Sequence, residues 1–453
     1  MTRSAPRLLA PVPEGTGLSG VQGDPGPPYV GYALHMMRDP VRLHRERLER
    51  YGPVSWGNFL GRPLVTVQGP EAAEVVLTNQ DKAFASGPAW DFFIGPFFDR
   101  GLMLLDFDEH LAHRRLMQQA FTRDRMVAYL ARVHDNAEQG VASWQPGKHT
   151  LLPLFRRLAL DMAIDAFVGL SLGSSEIRRV DRAFTEAVRA GLAVVRIPVP
   201  GLRWSRGLKA RRQLMDFFVK HIPEKRARGG DDLFAALCTA VSDEGERFSD
   251  TEIANHMIFM LMAAHDTSTI TLMSMAYHLA RHPEWQERCR AESLALGPGP
   301  ASTAALDSLR SMDLVMRESL RLCAPVPLLP RVAVRDTEVL GYHIPAGSLV
   351  SLTIHTNHHM PEHWPEPERF DPERFTPERQ TEITHPYAWF PFGGGIHTCM
   401  GRHFSGFQAK AVMHCLLRSR SWSVPDDYEW ELDFSTLPVP RDGLPVTLSA
   451  LPT

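Results

Sequence analysis

A long capped apolar run, "SDTEIANHMIFMLMAAHDTSTITLMSMAYHLARHP" from Ser249 to Pro283, constrains this chain more than any other stretch. Ser249 is followed three residues later by Glu252, the pattern in which two side chains satisfy the first N–H groups of a helix. The helical pattern runs to Arg281. His282-Pro283 stops it, because the residue before a proline is driven out of the helical region. At 1.5 Å per residue such a helix spans about 45–50 Å, the width of a large domain. It is apolar on most faces and therefore reads as a buried central pillar. Yet its middle holds His265, Asp266, Thr267, Ser268 and Thr269, and polar groups in a core are costly unless something uses them. The same knot makes the segment too polar for a lipid-facing span.

The rest of the chain supplies the body around that pillar. Its 453 residues, 44% of them hydrophobic, can bury a large core. From about Pro70 to Pro325 the apolar spacing is mostly helical, as in "LLPLFRRLALDMAIDAFVGL". "VSWGNFLGRPLVTVQ", from Val54, reads as a hairpin, and "RVAVRDTEVLGYHIPAGSLVSLTI" as short strands. A helix resumes at about Met400, followed by strand-like segments. The fold class expected is mainly α with small β-sheets. With neither internal repeat nor linker, residues 1–453 are expected to form a single domain, residues 1–30 being an extended surface segment rich in proline and glycine.

Several functions are disfavoured. The net charge of −3 argues against a broad nucleic-acid footprint. The N-terminus has no long apolar run, so neither a signal peptide nor a membrane anchor is expected. Five scattered cysteines with no CxxC pair suit a reducing compartment, hence a cytoplasmic protein. Gly15-Thr-Gly17-Leu-Ser-Gly20 fits a dinucleotide motif literally, but lacks the flanking strand and helix. His355, His358, His359 and His363 match no zinc spacing and read as a solvated loop.

"PFGGGIHTCMGRHF", Pro391 to Phe404, is different. Three glycines allow close backbone approach. A helical run after Met400-Gly401-Arg402 can set the Cys399 sulfur at a positive dipole end. A thiolate needs such help, or a metal. One cysteine excludes an iron–sulfur cluster and a tetrahedral zinc site. A thiolate axial to haem iron is the best fit; a nucleophilic cysteine is the competing reading.

"FGGGIHTCMG", Phe392 to Gly401, resembles the haem-binding signature of the cytochrome P-450 superfamily. The shared pattern is phenylalanine, two residues, glycine, a basic residue two before the cysteine and glycine two after. "ESLR" (Glu318, Arg321) resembles the family's Glu-x-x-Arg pair, and Arg374 in "FDPERF" its third charged member. "AAHDTS", Ala263 to Ser268, resembles the oxygen-activation segment. "HLAHRRL" places His110 and Arg114 where the family contacts haem propionates. All occur in family order over nearly the whole chain.

The resemblance implies haem b with Cys399 as proximal ligand, a thiolate that donates electron density to the iron. It makes His110, Arg114, Arg331 and His397 hydrogen-bond partners of the propionates. Glu318, Arg321 and Arg374 become a buried structural triad. Asp266 and Thr267 become the catalytic pair that delivers protons during oxygen activation; the alternative for Thr267 is a bond back to the helix carbonyl. Ala264 stands where many members have glycine.

The implied activity is insertion of one oxygen atom from O2 into a lipophilic substrate, a terpenoid or steroid in the first instance. Ala89 to Leu105, rich in aromatics, is expected to be a substrate-covering loop. Arg196 to Arg211 is expected to be a second, mostly uncharged lid. No flavin or nicotinamide motif stands in the chain, so a ferredoxin or flavodoxin with its reductase is the expected electron source, and the protein a monomer. Arg402 and Lys410 are candidates for meeting an acidic partner, with a solvated helix face as the alternative. A peroxide-driven enzyme of the same fold and a non-catalytic haem sensor or carrier are the rival functions. The intact Asp266–Thr267 pair counts against both.

Overall fold

The helix start at Ser249 forms as its sequence dictates. Ser249 Oγ accepts the Glu252 N–H at 3.3 Å, and the Glu252 carboxylate accepts the Ser249 N–H at 2.8 Å. The structure, a computed structural model, describes residues 5–170, 174–191, 196–297, 299, 301–379, 383 and 385–451, so Met1 to Ser4 of the N-terminal segment lie outside it.

In chain order the elements used below begin with α1 (Pro40–Tyr51), β1 (Val54–Phe59), β2 (Arg62–Val67), α2 (Pro70–Thr78) and α3 (Gly87–Phe98). Next come α4 (Phe107–Gln118), α5 (Leu151–Ala163), α6 (Ser174–Gly191), α7 (Arg203–Arg228) and α8 (Asp250–Arg281). The chain continues with α9 (Arg310–Leu322), β3 (Leu328–Ala333), β4 (Leu349–Thr353) and α10 (Arg402–Ser419). The fold is mainly α with small sheets. The chain divides into two compact units, each gathered from separate stretches.

The first unit comprises Met1–Trp90, Arg317–Cys399 and Glu431–Arg441. Its main sheet runs Arg7–Leu8, Gln22–Gly23, β1, β2, β4, β3, Phe84–Ala85. β1 and β2 are the predicted antiparallel hairpin, while β4 joins β2 in parallel and β3 in antiparallel. β4 is buried at every position, Ser351 and Thr353 included, so it is covered on both faces. Ala72, Ala73, Val76 and Leu77, a helix-spaced stripe of α2, pack into the same core. The end of the N-terminal segment is not a surface wrap. Val21 and Asp24 are buried, and Asp24 accepts 2.6 Å hydrogen bonds from Tyr32 and Tyr51. Backbone pairing to β1 pulls it inward.

The second unit comprises Asp91–Met316, Met400–Trp430 and Asp442–Thr453. α8 is its pillar and packs against α5, α7 and α10. Leu261, Leu272, Met275 and Leu279 are fully buried, each such side chain stabilising by roughly 1.5–3 kcal/mol. Ser268 Oγ donates to Gln408 Oε1 at 2.5 Å, which ties α8 to α10. α6 and α7 pack closely because position 207 is glycine: a Cβ there would lie 2.1 Å from that of Ala190. No helix among the described residues is long and apolar enough to cross a membrane.

Candidate active site

The loop bearing Cys399 is held by its own backbone and by α2. Gly393 N–H donates to Phe390 C=O and Cys399 N–H to Phe392 C=O, both at 2.9 Å. Gly395 has φ +60°, and a Cβ there would meet the Leu77 carbonyl oxygen at 1.9 Å, so only glycine closes this turn. The anchored loop presents Cys399 exposed. The other thiols cannot substitute for it. Cys238, Cys289 and Cys323 are buried and Cys415 is half-buried, and burial pushes all four up to about 12, so they stay protonated. α10 begins three residues after Cys399, at Arg402.

Glu318, Arg321 and Arg374 are all buried in the first unit. Arg321 grips Glu318 with two bonds of 2.7 and 2.8 Å, and Arg374 Nε lies 3.5 Å from the same carboxylate. Arg321 also donates to the carbonyls of His358 at 2.8 Å and Pro367 at 2.7 Å. His355, His358 and His359 are therefore not a solvated loop. A short helix, Ile354–Asn357, and the backbone carbonyls that Arg321 requires draw them inside. His358 Nε2 accepts the Phe390 N–H at 3.0 Å, at the entrance to the cysteine loop. Burial, then the Arg321 charge, pushes His358 down to about 3. Sequence reasoning missed this residue.

In the second unit, α8 is buried before and after its polar knot, while residues 262–267 are partly accessible. The unbroken helix is thus partly accessible at Asp266 and Thr267. Thr267 Oγ donates to the Ala263 carbonyl at 2.6 Å, the helix back-bond weighed above, which leaves the lone pairs of its oxygen to accept. His265 Nδ1 lies 3.1 Å from Asp266 Oδ1, and its Nε2 is 3.1 Å from the Arg156 carbonyl. A titratable neighbour of Asp266 was visible in the sequence, but its partners were not.

The remaining predicted residues fall on both units. His110 and Arg114 are one turn apart on α4, His110 buried and Arg114 half-buried. His110 is not a solvated helix residue. Arg331 is buried in β3, where it donates to the Pro330 carbonyl at 2.8 Å. His397 is half-buried in the turn Gly395–His397.

The sequence matches the family described as Cytochrome P-450 over residues 22–443. The chain belongs to that family. It is 44% identical over 453 residues to the protein named cytochrome P-450 136 of Mycobacterium tuberculosis, covering 99% of this chain and 92% of that one. It is 30% identical over 440 residues to abscisic acid 8'-hydroxylase 3 of Oryza sativa, covering 93% and 85%. Among solved structures, "Retinoic acid bound cyanobacterial CYP120A1" superposes with a TM-score of 0.85 at 27% identity, covering 95% of this chain and 99% of that one.

As a P-450 the chain is a monooxygenase of the oxidoreductase class, its cofactor is haem, and its family draws on external redox partners. Two observations fit this chain to that group: an exposed thiol on an anchored glycine cradle, and a buried helix that is partly accessible at an acid–alcohol pair. Two expectations about its surroundings need correction. The aromatic segment from Ala89 is not a loop: α3 takes its first part, because Phe93/Phe97 and Ile94/Phe98 are spaced by four and share a face. Phe97 and Phe98 are buried there as packing. Lys410 offers nothing to an acidic partner. It is buried on α10, 3.0 Å from Asp313 and 3.8 Å from Asp307, whereas Arg402 is exposed.

Proposed function

We propose that this P-450 uses haem b to insert one oxygen atom from O2 into a lipophilic small molecule of terpenoid or steroid type. Electrons come from a ferredoxin or flavodoxin with its reductase, and the protein acts as a cytoplasmic monomer with a single catalytic domain. The exposure of Cys399, beside four thiols kept protonated by burial, is the observation that carries this reading. The substrate class is supported by two relatives' names, a hydroxylase of abscisic acid and a protein that binds retinoic acid.

Bound haem supplies the iron at which O2 is reduced and one oxygen atom transferred. Cys399 would hold that iron as a thiolate, its loop kept in place by the Phe392 and Phe390 carbonyls. Arg331, His397, His110 and Arg114 would be the donors to the propionates. On α8 the Thr267 hydroxyl, already donating to Ala263, would accept a hydrogen bond from a water and so orient its proton. Asp266, with 21% of its side chain exposed, would take protons from solvent and pass them inward.

The test is a panel of terpenoids, steroids and fatty acids titrated against the haem spectrum, followed by turnover of the binders. Reductase-supported product would bear the reading out. Product with peroxide alone would favour the peroxide-driven alternative, and none with either donor a sensor or carrier.

A further inference from the structure

The segment expected to be a second, mostly uncharged lid lies in a strongly basic part of the second unit. Between Glu186 and Asp216 the sequence holds no acidic residue while basic ones recur, against a net charge of −3 for the whole chain. Some of these cations are engaged within the fold. Half-buried Arg196 donates to the Phe92 carbonyl, Arg211 donates to Asn255 Oδ1, and Arg206 pairs with Glu186 at 3.0 Å. The others face water. Arg189 lies in the last turn of α6, and Arg203, Lys209 and Arg212 in the first turns of α7. All are exposed, and their side chains have no ion-pair or hydrogen-bond partner among the described residues. The end of α6 adjoins the start of α7, because Ala190 packs against Gly207.

These cations flank a stretch without a polar side chain. Ile197, Pro198, Val199, Pro200, Gly201 and Leu202 are all exposed. Single exposed apolar residues are ordinary, but a consecutive run of them facing water marks a contact surface. Its chemistry narrows what can cover it. Pro198 and Pro200 have no N–H, so the run cannot be extended by an added strand from a protein partner. The Leu202 N–H is met by the Val199 carbonyl at 3.2 Å, and the Leu202 carbonyl accepts the Arg206 N–H at 3.0 Å, so these groups lose little on leaving water. The flanking charge is of one sign and complements phosphates. An apolar insert ringed by cations is the pattern that seats at the headgroup–acyl boundary of an anionic bilayer.

We propose that this part of the second unit docks reversibly on an anionic lipid surface. Residues 197–202 enter the headgroup–acyl boundary, and Arg189, Arg203, Lys209 and Arg212 meet the lipid phosphates. The attachment is peripheral, needing no helix that crosses the bilayer, and it does not depend on which substrate the haem site takes. Charge and apolar contact make separable contributions. Cations sense the headgroup charge and are screened by salt, whereas the apolar run gains from any bilayer it enters.

The experiment floats the haem-loaded full chain with vesicles of phosphatidylcholine, either alone or with about a third phosphatidylglycerol. The wild type should bind the anionic vesicles about tenfold or more tightly than the neutral ones, a preference that about 0.5 M salt should largely remove. Joint Arg203→Gln, Lys209→Gln and Arg212→Gln should bring anionic binding down toward the neutral level. Joint Ile197→Asp and Val199→Asp should weaken anionic binding by about tenfold or more while leaving the cations in place. Every substituted side chain faces water, so both variants should keep the wild-type haem content and thermal midpoint. A wild type that ignores anionic vesicles overturns the proposal, as does binding that either variant leaves intact. Polyglutamate, acidic but without hydrocarbon, should not displace the protein at equal charge concentration; displacement would give the surface to an acidic protein instead. Self-association in ultracentrifugation that the aspartate variant abolishes would give it to a second copy of the chain, and also overturns the proposal.

Discussion

His358 Nε2 accepts the backbone N–H of Phe390 at 3.0 Å, while the carbonyl of the same residue accepts a hydrogen bond from Arg321 at 2.8 Å. One buried residue thereby joins the Glu318–Arg321 ion pair to the chain that enters the cysteine loop. Only a neutral ring with its hydrogen on Nδ1 can accept at Nε2, and burial keeps His358 neutral. His358→Leu leaves the Phe390 N–H buried without an acceptor, at a cost of about 1–3 kcal/mol. The expected result is a lower urea midpoint and a ferrous carbon monoxide band partly shifted to the blue. His358→Asn, whose amide oxygen can still accept, should fall between. A leucine variant matching the wild type in both measurements would show that the link does not position the loop.

Cys399→Ser addresses the ligand directly. Serine is close in size but does not supply a soft thiolate, so the red-shifted ferrous carbon monoxide absorption should vanish while folding is retained. Persistence of that band would mean that another residue holds the iron.

Gly395→Ala tests the cradle, with Gly347→Ala as its control. Both glycines have positive φ, +60° and +80°, but a Cβ at 347 meets nothing within 4 Å. Gly347→Ala should therefore cost only the conformational penalty of about 1–2 kcal/mol and leave the haem spectrum unchanged. Gly395→Ala adds a collision with the Leu77 carbonyl and should displace the loop, lowering haem retention as well as stability. Equal behaviour of the two variants, measured by haem content and thermal midpoint, would refute the tight-cradle account.

These residues divide by how far their partners lie along the chain. The cap at Ser249, the stop at His282-Pro283, the β1–β2 hairpin and the glycine-rich cysteine loop depend on near neighbours, and pattern alone revealed them. His358 meets Phe390 across 32 residues and Arg196 meets Phe92 across 104, and no local period encodes either contact. The burial of Lys410 was hidden for the same reason: Asp313 and Asp307 neutralise it from elsewhere in the chain. The histidine-rich stretch misled because His is common in solvated loops, and only the carbonyl demands of Arg321 turn it inward.

That inward turn sets an acid limit on stability. His44, His256, His358 and His359 are each held near 3, chiefly by burial, against an ordinary value of 6.5. The folded chain cannot take up protons that the unfolded chain binds below 6.5. Stability is therefore full above that value and is lost as pH falls from it toward 3. By linkage, each of these histidines removes roughly 2 kcal/mol by about pH 5. Urea midpoints compared at about pH 8 and pH 5 should show a marked fall, reduced in His359→Gln. A flat profile would show that these rings titrate normally.

Thr267→Ala tests whether the partly accessible stretch of α8 does chemistry. The substitution removes one hydroxyl from a helix of good formers, and alanine gains a few tenths of a kcal/mol, about 0.5 at most, in propensity. The lost bond to the Ala263 carbonyl frees no donor, because the donor leaves with the side chain. Folding and haem binding should survive, since the Cys399 loop is untouched. What should change is the fate of reduced oxygen: without a hydroxyl to orient the proton-bearing water, it should depart as hydrogen peroxide. Reducing equivalents should still be consumed, with more peroxide released and less product per electron, and Thr267→Ser should restore much of the coupling. Wild-type coupling in the alanine variant would make Thr267 ordinary helix packing, back-bonded to Ala263 and nothing more. Proton delivery would then have to come from another group on the same stretch of α8, with His265, beside Asp266, the first to examine.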